Sequence, residues 1–392
     1  MTRDIREASS LKTFSTNQLV FLDASGSDLT FLWNSTTREV TRTLGAAPPA
    51  PQAFQQEVAG HHTPTEGAPQ GPVDTVILAG KSPPRILVHG GWLELRAGAW
   101  RPAPAPVDDS PAELADGSKV RQLARSPQGE RHAATATGLW VERKGQWEKL
   151  SIADGLGRQW ATADVRGVAF DAQGRLWFAT PAGIGCRGEQ GWRFFDGRDG
   201  LPWNDFTCVA AGADGAVWFG TRRGAIRWDG RDFHYRQGPR WLPDDEVRAI
   251  AVEADGSAWL ATARGVGHLE RRAMTLAAKA EYYESELDRL IKRTPYGYVA
   301  EVSLTRAGDR SSAVQHDSDN DGLWTAMYGA GECFAFAATG DPKARQRATQ
   351  AFAALRFLQE VTQGGEHPAP RGFVARTIRP VTWPDPNQGR HE

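Results

Sequence analysis

Three tryptophans, Trp177, Trp218 and Trp259, fall at the same point of three successive copies of one pattern, 41 residues apart both times. The copies read DVRGVAFDAQGRLWFATPAGIGCRGEQGWRFF from Asp164, DFTCVAAGADGAVWFGTRRGAIRWDGRDFHYR from Asp205 and EVRAIAVEADGSAWLATARGVGHLE from Glu246. In the third copy Val247, Ala249 and Ala251 alternate with Arg248 and Ile250 up to Asp255-Gly256, a pair that tolerates the positive φ of a tight hairpin. The chain returns through residues 257–261, turns again at Gly265 and makes a third strand over 266–269. In the second copy residues 226–229, Gly230 and residues 233–236 supply a third strand, its turn and a fourth strand. Four short antiparallel strands every ~40 to 45 residues make the blade of a β-propeller. A lone blade exposes both of its faces, so it has to stack on neighbours around an axis.

The pattern continues upstream with decay. RQLARSPQGERHAATATGLWVERKGQWEKL aligns Gly129 with Gly174 and Trp147 with Trp192, with His132 where the repeated Trp stands. LVHGGWLELRAGAWRP then matches Gly98 and Trp100 to Gly145 and Trp147. Residues 19–23 and 29–33, around Ser25-Gly26-Ser27, read as a further hairpin pair or a divergent cap. The expected fold is mainly β, a propeller of about six four-stranded blades, with a small α-helical region behind it. Its expected divisions are a lead-in with a divergent blade and linker at 1–74, the blades at 75–272 and a helical region at 273–392.

These residues carry a family resemblance. The Asp-x-x-Gly-x-Leu-Trp-x-x-Thr-x-x-Gly-Ile string at 171–184 and the linkers DGLG at 154, DGLPWND at 199 and WLPDDE at 241 resemble two-component-regulator propeller repeats. Those are periplasmic or extracellular sensor blades of many bacterial proteins, and the resemblance covers residues 115–270. It implies a ligand-sensing or protein-interaction module. No ATP-binding glycine loop with a kinase histidine, no receiver and no helix-turn-helix segment is written in the sequence, so the signalling half of that architecture is not in this chain.

Composition narrows the partners. A net charge of −1 over 392 residues gives no general attraction to nucleic acid. No run of about twenty apolar residues forms a membrane-spanning helix. The first residues lack the apolar core of a signal peptide, so the sequence as written reads as cytoplasmic, whereas the family resemblance implies export to the periplasm or beyond. Cys186, Cys208 and Cys333 are odd in number, far apart and without ligand spacing, and read as buried free thiols. Residues 45–73, rich in Pro, Gly, Ala and Gln, read as a linker or long surface loop, with His61 and His62 solvated inside it.

After the last blade the periodicity becomes helical. Residues 274–292 place Leu276, Tyr283, Leu287 and Leu290 on one helix face, and Pro295 ends it. Two further helices meet at Gly340-Asp341-Pro342. This helix pair resembles a hairpin of the (α/α) toroid enzymes that act on polysaccharides, and it reads as the opening of a domain that continues past Glu392.

Three candidate sites follow. Asp317, Asp319, Asp321 and Gly322 spell the first half of a calcium loop, but Tyr328 stands where the bidentate Glu belongs, which leaves a looser calcium site or an ordinary helix start. Trp324, Tyr328, Glu332 and Phe336 share one helix face beside His316, Asp317 and Asp319, which reads either as a sugar-stacking platform with acid/base groups or as packing surface. Leu323, Met327, Ala330, Phe334 and Ala337 would then form the buried face. In the propeller, Trp177, Trp218 and Trp259 read as inter-blade core. The positions that differ between blades, Arg222, Arg223, Trp203 and Trp241, are the better ligand contacts, and Arg beside Trp suits an acidic oligosaccharide. Two functions stand at this point: a ligand-sensing or protein-interaction propeller without cofactor, and a polysaccharide lyase or glycoside hydrolase acting on acidic glycans.

Overall fold

The computed structural model describes residues 10–14, 18–22, 28–34, 39–44, 54–62, 68, 71–78, 82–106, 111–153, 155–158, 163–306 and 309–384. They divide into two compact units, one of residues 55–273, the other of residues 1–54 with 274–392. In the second unit β1 (Ser10–Phe14), β2 (Gln18–Leu22), β3 (Asp28–Asn34) and β4 (Glu39–Leu44) pair in order as an antiparallel sheet. The hairpin expected around residues 25–27 is the β2–β3 pair, with Leu19 opposite Phe31.

The first unit is a propeller. β5 (Phe54–His62) precedes it in sequence. Blade I is β6 (Val73–Ile77), β7 (Arg85–Val88), β8 (Gly91–Arg96) and β9 (Ala99–Ala103). Blade II is β10 (Val120–Arg125), β11 (Arg131–Thr135), β12 (Gly138–Arg143) and β13 (Gln146–Lys149). Blade III is β14 (Gly167–Phe170), β15 (Leu176–Thr180), β16 (Gly183–Gly188) and β17 (Gly191–Phe195). Blade IV is β18 (Phe206–Ala211), β19 (Val217–Thr221), β20 (Gly224–Trp228) and β21 (Phe233–Arg236). Blade V is β22 (Val247–Val252), β23 (Ala258–Thr262) and β24 (Gly265–Met274), completed by β5. The innermost strands stand side by side, β10 by β14, β14 by β18, β18 by β22 and β22 by β6, so the last blade returns to the first.

The blade count is therefore five, where the sequence suggested about six. The reason lies in β5. The third copy of the pattern stops at three strands, and the open edge of β24 needs a partner for its backbone N–H and C=O groups. Residues 54–62, read from composition as linker, supply it. Glu57 on β5 fixes the closure through Arg236 at 2.5 Å and Arg227 at 4.0 Å, all three side chains being largely buried.

Each repeated tryptophan is inter-blade core, as the period requires. Trp177 packs with Val209 and Phe219 of blade IV, Trp218 with Leu260 and Leu269 of blade V, and Trp259 with Ile86 and Trp100 of blade I. A second repeated device shapes the turn between the second and third strands. Thr135, Thr180, Thr221 and Thr262 are fully buried, and each hydroxyl donates to the carbonyl of the glycine three residues on at 2.7–3.0 Å. The same oxygen accepts the backbone N–H two residues on, so one side chain holds both ends of the turn.

In the other unit α1 (Leu276–Glu286) starts from the Thr275 cap and runs into a widened turn over Leu287–Ile291. The short hairpins β25 (Lys292–Arg293) with β26 (Tyr298–Val299) and β27 (Glu301–Leu304) with β28 (Ala313–His316) follow. Then come α2 (Asp321–Thr339) and α3 (Pro342–Glu360), joined at Gly340 in the left-handed region, with Asp341 capping α3. One expected face is split and another reversed. On α1, Leu276 and Tyr283 are exposed, whereas Leu287 and Leu290 in the turn that follows are half-buried. On α2 the side that packs is Thr325, Gly329 and Glu332, whereas Leu323, Met327 and Phe334 stay exposed. Gly329 explains the orientation, since a Cβ there would stand 2.9 Å from the Ala351 Cβ, and this bare backbone lets α3 come close. Cys186 and Cys208 are buried as expected, but Cys333 is exposed on this helix.

Candidate functional site

Four of the five inner strands carry a bulge at the same place near their start. The unpaired residue is Asp74 in blade I, Arg121 in II, Thr207 in IV and Arg248 in V. Arg166 holds the equivalent place in blade III. A bulge leaves one residue outside the ladder and re-aims its side chain. Here the re-aimed groups reach the next blade. Arg121 pairs with Asp164, Arg166 with Asp205 at 2.7 Å, and Arg248 with Asp74 at 3.0 Å. Thr207 makes the corresponding step from blade IV to V by donating to the Val247 carbonyl at 2.6 Å.

This charged face opens on a cavity of about 440 Å³ lined by Arg121, Asp164, Arg166, Thr207 and Arg222. Although burial works in the opposite direction, Arg121 and Arg166 hold the Asp164 carboxyl below the ordinary carboxylate range, so it is ionised at neutral pH. Arg222, on the β19–β20 turn, lies 3.6 Å from Asp205 and is 61% exposed. Just inside the face the strands close together. The Gln122 side-chain amide of blade II donates to the Val209 carbonyl of blade IV at 2.8 Å, passing blade III at Gly167. A Cβ on Gly167 would meet Gln122 Oε1 at 2.7 Å and the Val209 nitrogen at 2.8 Å. Among the described residues the arrangement is thus a shallow charged bowl above a Gln plug.

Of the ligand contacts expected from the sequence, Arg222 lines this cavity. Arg223 instead lies over the Trp203 ring at 4.5 Å, and Trp241 is covered by Arg236 at 4.7 Å and Arg240 at 5.2 Å. The Arg-beside-Trp juxtaposition is real, but in each case the guanidinium lies on its own Trp ring rather than on the cavity. Arg121, Arg166 and Arg248 were missed. A signal for them exists, because each stands 11 residues before a repeated Trp or its His132 replacement.

The helical candidates are dispersed. His316 Nε2 bonds to the Ser303 hydroxyl at 2.6 Å. Asp317 receives both arms of Arg379 at 2.7 and 2.8 Å, Asp319 pairs with Arg376 at 3.3 Å, and buried Asp321 accepts from the Thr377 hydroxyl at 2.6 Å. The three acids read as calcium ligands thus fasten residues 376–379 across the start of α2. Among the described residues no group of three or more His, Cys, Asp or Glu side chains is placed to hold a metal ion. Trp324 is exposed, while Tyr328 and Glu332 turn inward to α1 and α3. The Tyr328 hydroxyl donates to Glu284 at 2.8 Å, and Arg347 lies 3.3 Å from the same carboxylate. Burial first, then the hydrogen bond to Glu284 and its negative charge, push Glu332 up to about 7. Glu332 is therefore an enclosed acid, only 7% exposed, and His316, Asp317 and Glu332 have separate partners.

No family model matches the sequence. No curated protein matches it either. Among solved structures it is similar to the extracellular domain of the hybrid two-component system BT3049 of B. thetaiotaomicron, with a TM-score of 0.39 and 16% identity over 66% of this chain and 40% of that one. It is also similar to the extracellular domain of the one-component system BT4673 of B. thetaiotaomicron, with a TM-score of 0.35 and 12% identity over 68% of this chain and 44% of that one. A streptogramin B lyase structure matches with a TM-score of 0.30 and 14% identity over 68% of this chain and 94% of its own. The chain thus spans about two-fifths of the length of the first two. No helix among the described residues is long and apolar enough to cross a membrane.

Proposed function

We propose that this chain is a recognition module of the two-component-regulator type, a propeller that binds an acidic oligosaccharide or an acidic protein segment on its charged axial face. The observation that carries this reading is the guanidinium group at one register position of three of the five inner strands, Arg121, Arg166 and Arg248, with exposed Arg222 beside Arg166. Each ion pair there is solvent-facing and worth about 0 to 1 kcal/mol, so an incoming anion can exchange with Asp164 or Asp205 at little cost. Loops and strand ends that converge at one end of a propeller form a concave surface suited to such a ligand.

The lyase or hydrolase reading has less support, because its acid and histidine candidates are tied to separate partners and Glu332 is enclosed. The test is binding of the whole chain to a panel of acidic and neutral oligosaccharides, with product analysis alongside. The module reading expects acidic ligands to bind without turnover, and Arg166→Ala with Arg222→Ala to weaken them about tenfold. Turnover, or binding indifferent to both substitutions, would sink it.

A further inference from the structure

Each blade presents a row of side chains, one from each of its outer three strands, to the blade that follows. In blade IV the row is Trp218, Arg227 and His234, and in blade V it begins Trp259 and His268. In blade III it is Trp177, Cys186 and Arg193. The middle member decides whether the interface is filled. His268 stacks on Trp259 with ring centroids 4.0 Å apart. Arg227 is largely enclosed and bridges to Asp214 at 3.4 Å and to Glu57 at 4.0 Å. Blade III has only a thiol there, and the space stays open as a cleft of about 480 Å³ between blades III and IV.

The lining of this cleft is charged and held in place. The Arg193 guanidinium lies over the Phe195 ring at 4.5 Å, is exposed, and has no carboxylate partner among the described residues. Arg175 lies over Trp177 at 5.5 Å, and its Nε is fixed by Asp171 at 2.7 Å. Guanidinium groups laid flat on aromatic rings keep their N–H edges free and lose little freedom when they meet an oxyanion. On the facing wall the Trp228 ring, 9% exposed, closes the cleft from blade IV. Glu189 and the Gln173 amide, whose oxygen accepts from Arg175 at 3.4 Å, complete the lining with groups that bond to hydroxyls. The Cys186 thiol at the floor is pushed up to about 12 by burial, so it is neutral and offers no thiolate to a metal or an electrophile.

We propose that the cleft between blades III and IV is a second binding site, distinct from the axial face, for a small hydroxylated organic acid such as a single sugar acid. The carboxylate meets Arg193, and ring hydroxyls meet Glu189 and the Gln173 amide, while Arg175 stays held by Asp171 and Gln173 and lines the wall. The volume is in the range of small-ligand pockets. The proposal rests on the reading of this propeller as a recognition module, but on different residues, so the two fail separately.

The experiment is calorimetric titration of the whole chain with D-galacturonate, with D-galactose and inorganic sulfate as comparators. Galacturonate should bind, galactose should not, and sulfate should bind more weakly because it leaves the hydroxyl partners unused. Arg193→Met, an exposed change, should weaken galacturonate about tenfold. Cys186→His, which installs the blade V residue, should abolish binding while thermal melting shows a folded protein. Lys149→Ala, an exposed change on β13 of blade II, should leave the titration unchanged. Absence of saturable galacturonate binding up to about 10 mM overturns the proposal, because a charged contact together with two hydroxyl contacts is expected to give a Kd of about 1 mM or tighter. So does binding that survives Arg193→Met, or galactose binding as tightly as galacturonate.

Discussion

The indole N–H of Trp177 donates to Asp171 Oδ2 at 2.7 Å, six residues back across the hairpin of blade III. Trp259 makes the same bond to Glu253 at 2.7 Å. In blade IV the acid is replaced by Gly212, and among the described residues the buried Trp218 N–H has no acceptor. Asp171 also accepts from the backbone N–H groups of Gln173 and Arg175 at 3.0 and 2.9 Å, so one carboxylate both shapes the turn and anchors the core Trp. Asp171→Ala strands several donors at once and is expected to destabilise the propeller by about 3 kcal/mol, against about 1 kcal/mol for Glu253→Gln. Urea unfolding of both variants checks the order, and equal losses would contradict this account.

Gly167 is where blade III lets Gln122 of blade II reach Val209 of blade IV. Gly167→Ala should destabilise by about 2 kcal/mol through overpacking. Shortening Gln122 to Ala in the same chain should not restore stability, because the Val209 backbone remains in the way. Full rescue in the double variant would show that the side chain alone sets the clash.

Closure of blade V depends on Glu57. Glu57→Ala leaves Arg236 buried without its carboxylate and weakens the hold on Arg227, and a loss of about 3 kcal/mol is expected. Hydrogen exchange should rise first along β24, the strand that β5 covers. Unchanged protection there would mean that the backbone ladder alone holds the edge.

The Glu284–Glu332 pair makes a pH prediction. Glu332 faces Glu284 and Lys292 from the α1 side, Tyr328 from its own helix and Arg347 from α3. Its pKa in the folded protein, about 7, lies above its ordinary value of 4.5. The folded state therefore keeps a proton that the unfolded chain releases. Stability of this unit is greatest at or below that ordinary value, falls as pH rises toward neutrality and levels off above it, by at most about 3 kcal/mol. Glu332→Gln should flatten the pH dependence of melting, and a slope identical to the parent protein would refute the assignment. Millimolar calcium should leave melting unchanged throughout, since Asp317 and Asp319 are matched to Arg379 and Arg376.

The site was legible only in part. Arg222 was marked by its difference between blades, and it lines the axial cavity. Arg223, Trp203 and Trp241 carried the same mark, yet their rings and guanidiniums cover one another. A list of unequal positions does not say which of them find partners inside the chain. Arg121, Arg166 and Arg248 were hidden because they repeat, and repetition reads as framework until the bulges show where those side chains lead.

By itself the 41-residue period determined the blades, their turns and the burial of Trp177, Trp218 and Trp259. Alternation, turn chemistry and stacking demand are all local to one repeat, so they can be read along the chain. Only the tertiary structure decided that residues 54–62 close blade V, that Asp317, Asp319 and Asp321 fasten the segment beyond α3, and that α2 packs through Gly329 rather than through Leu323 and Met327. Each of those outcomes depends on which distant edge, cation or helix arrives beside a group, and such competition between partners far apart in sequence leaves no periodic trace.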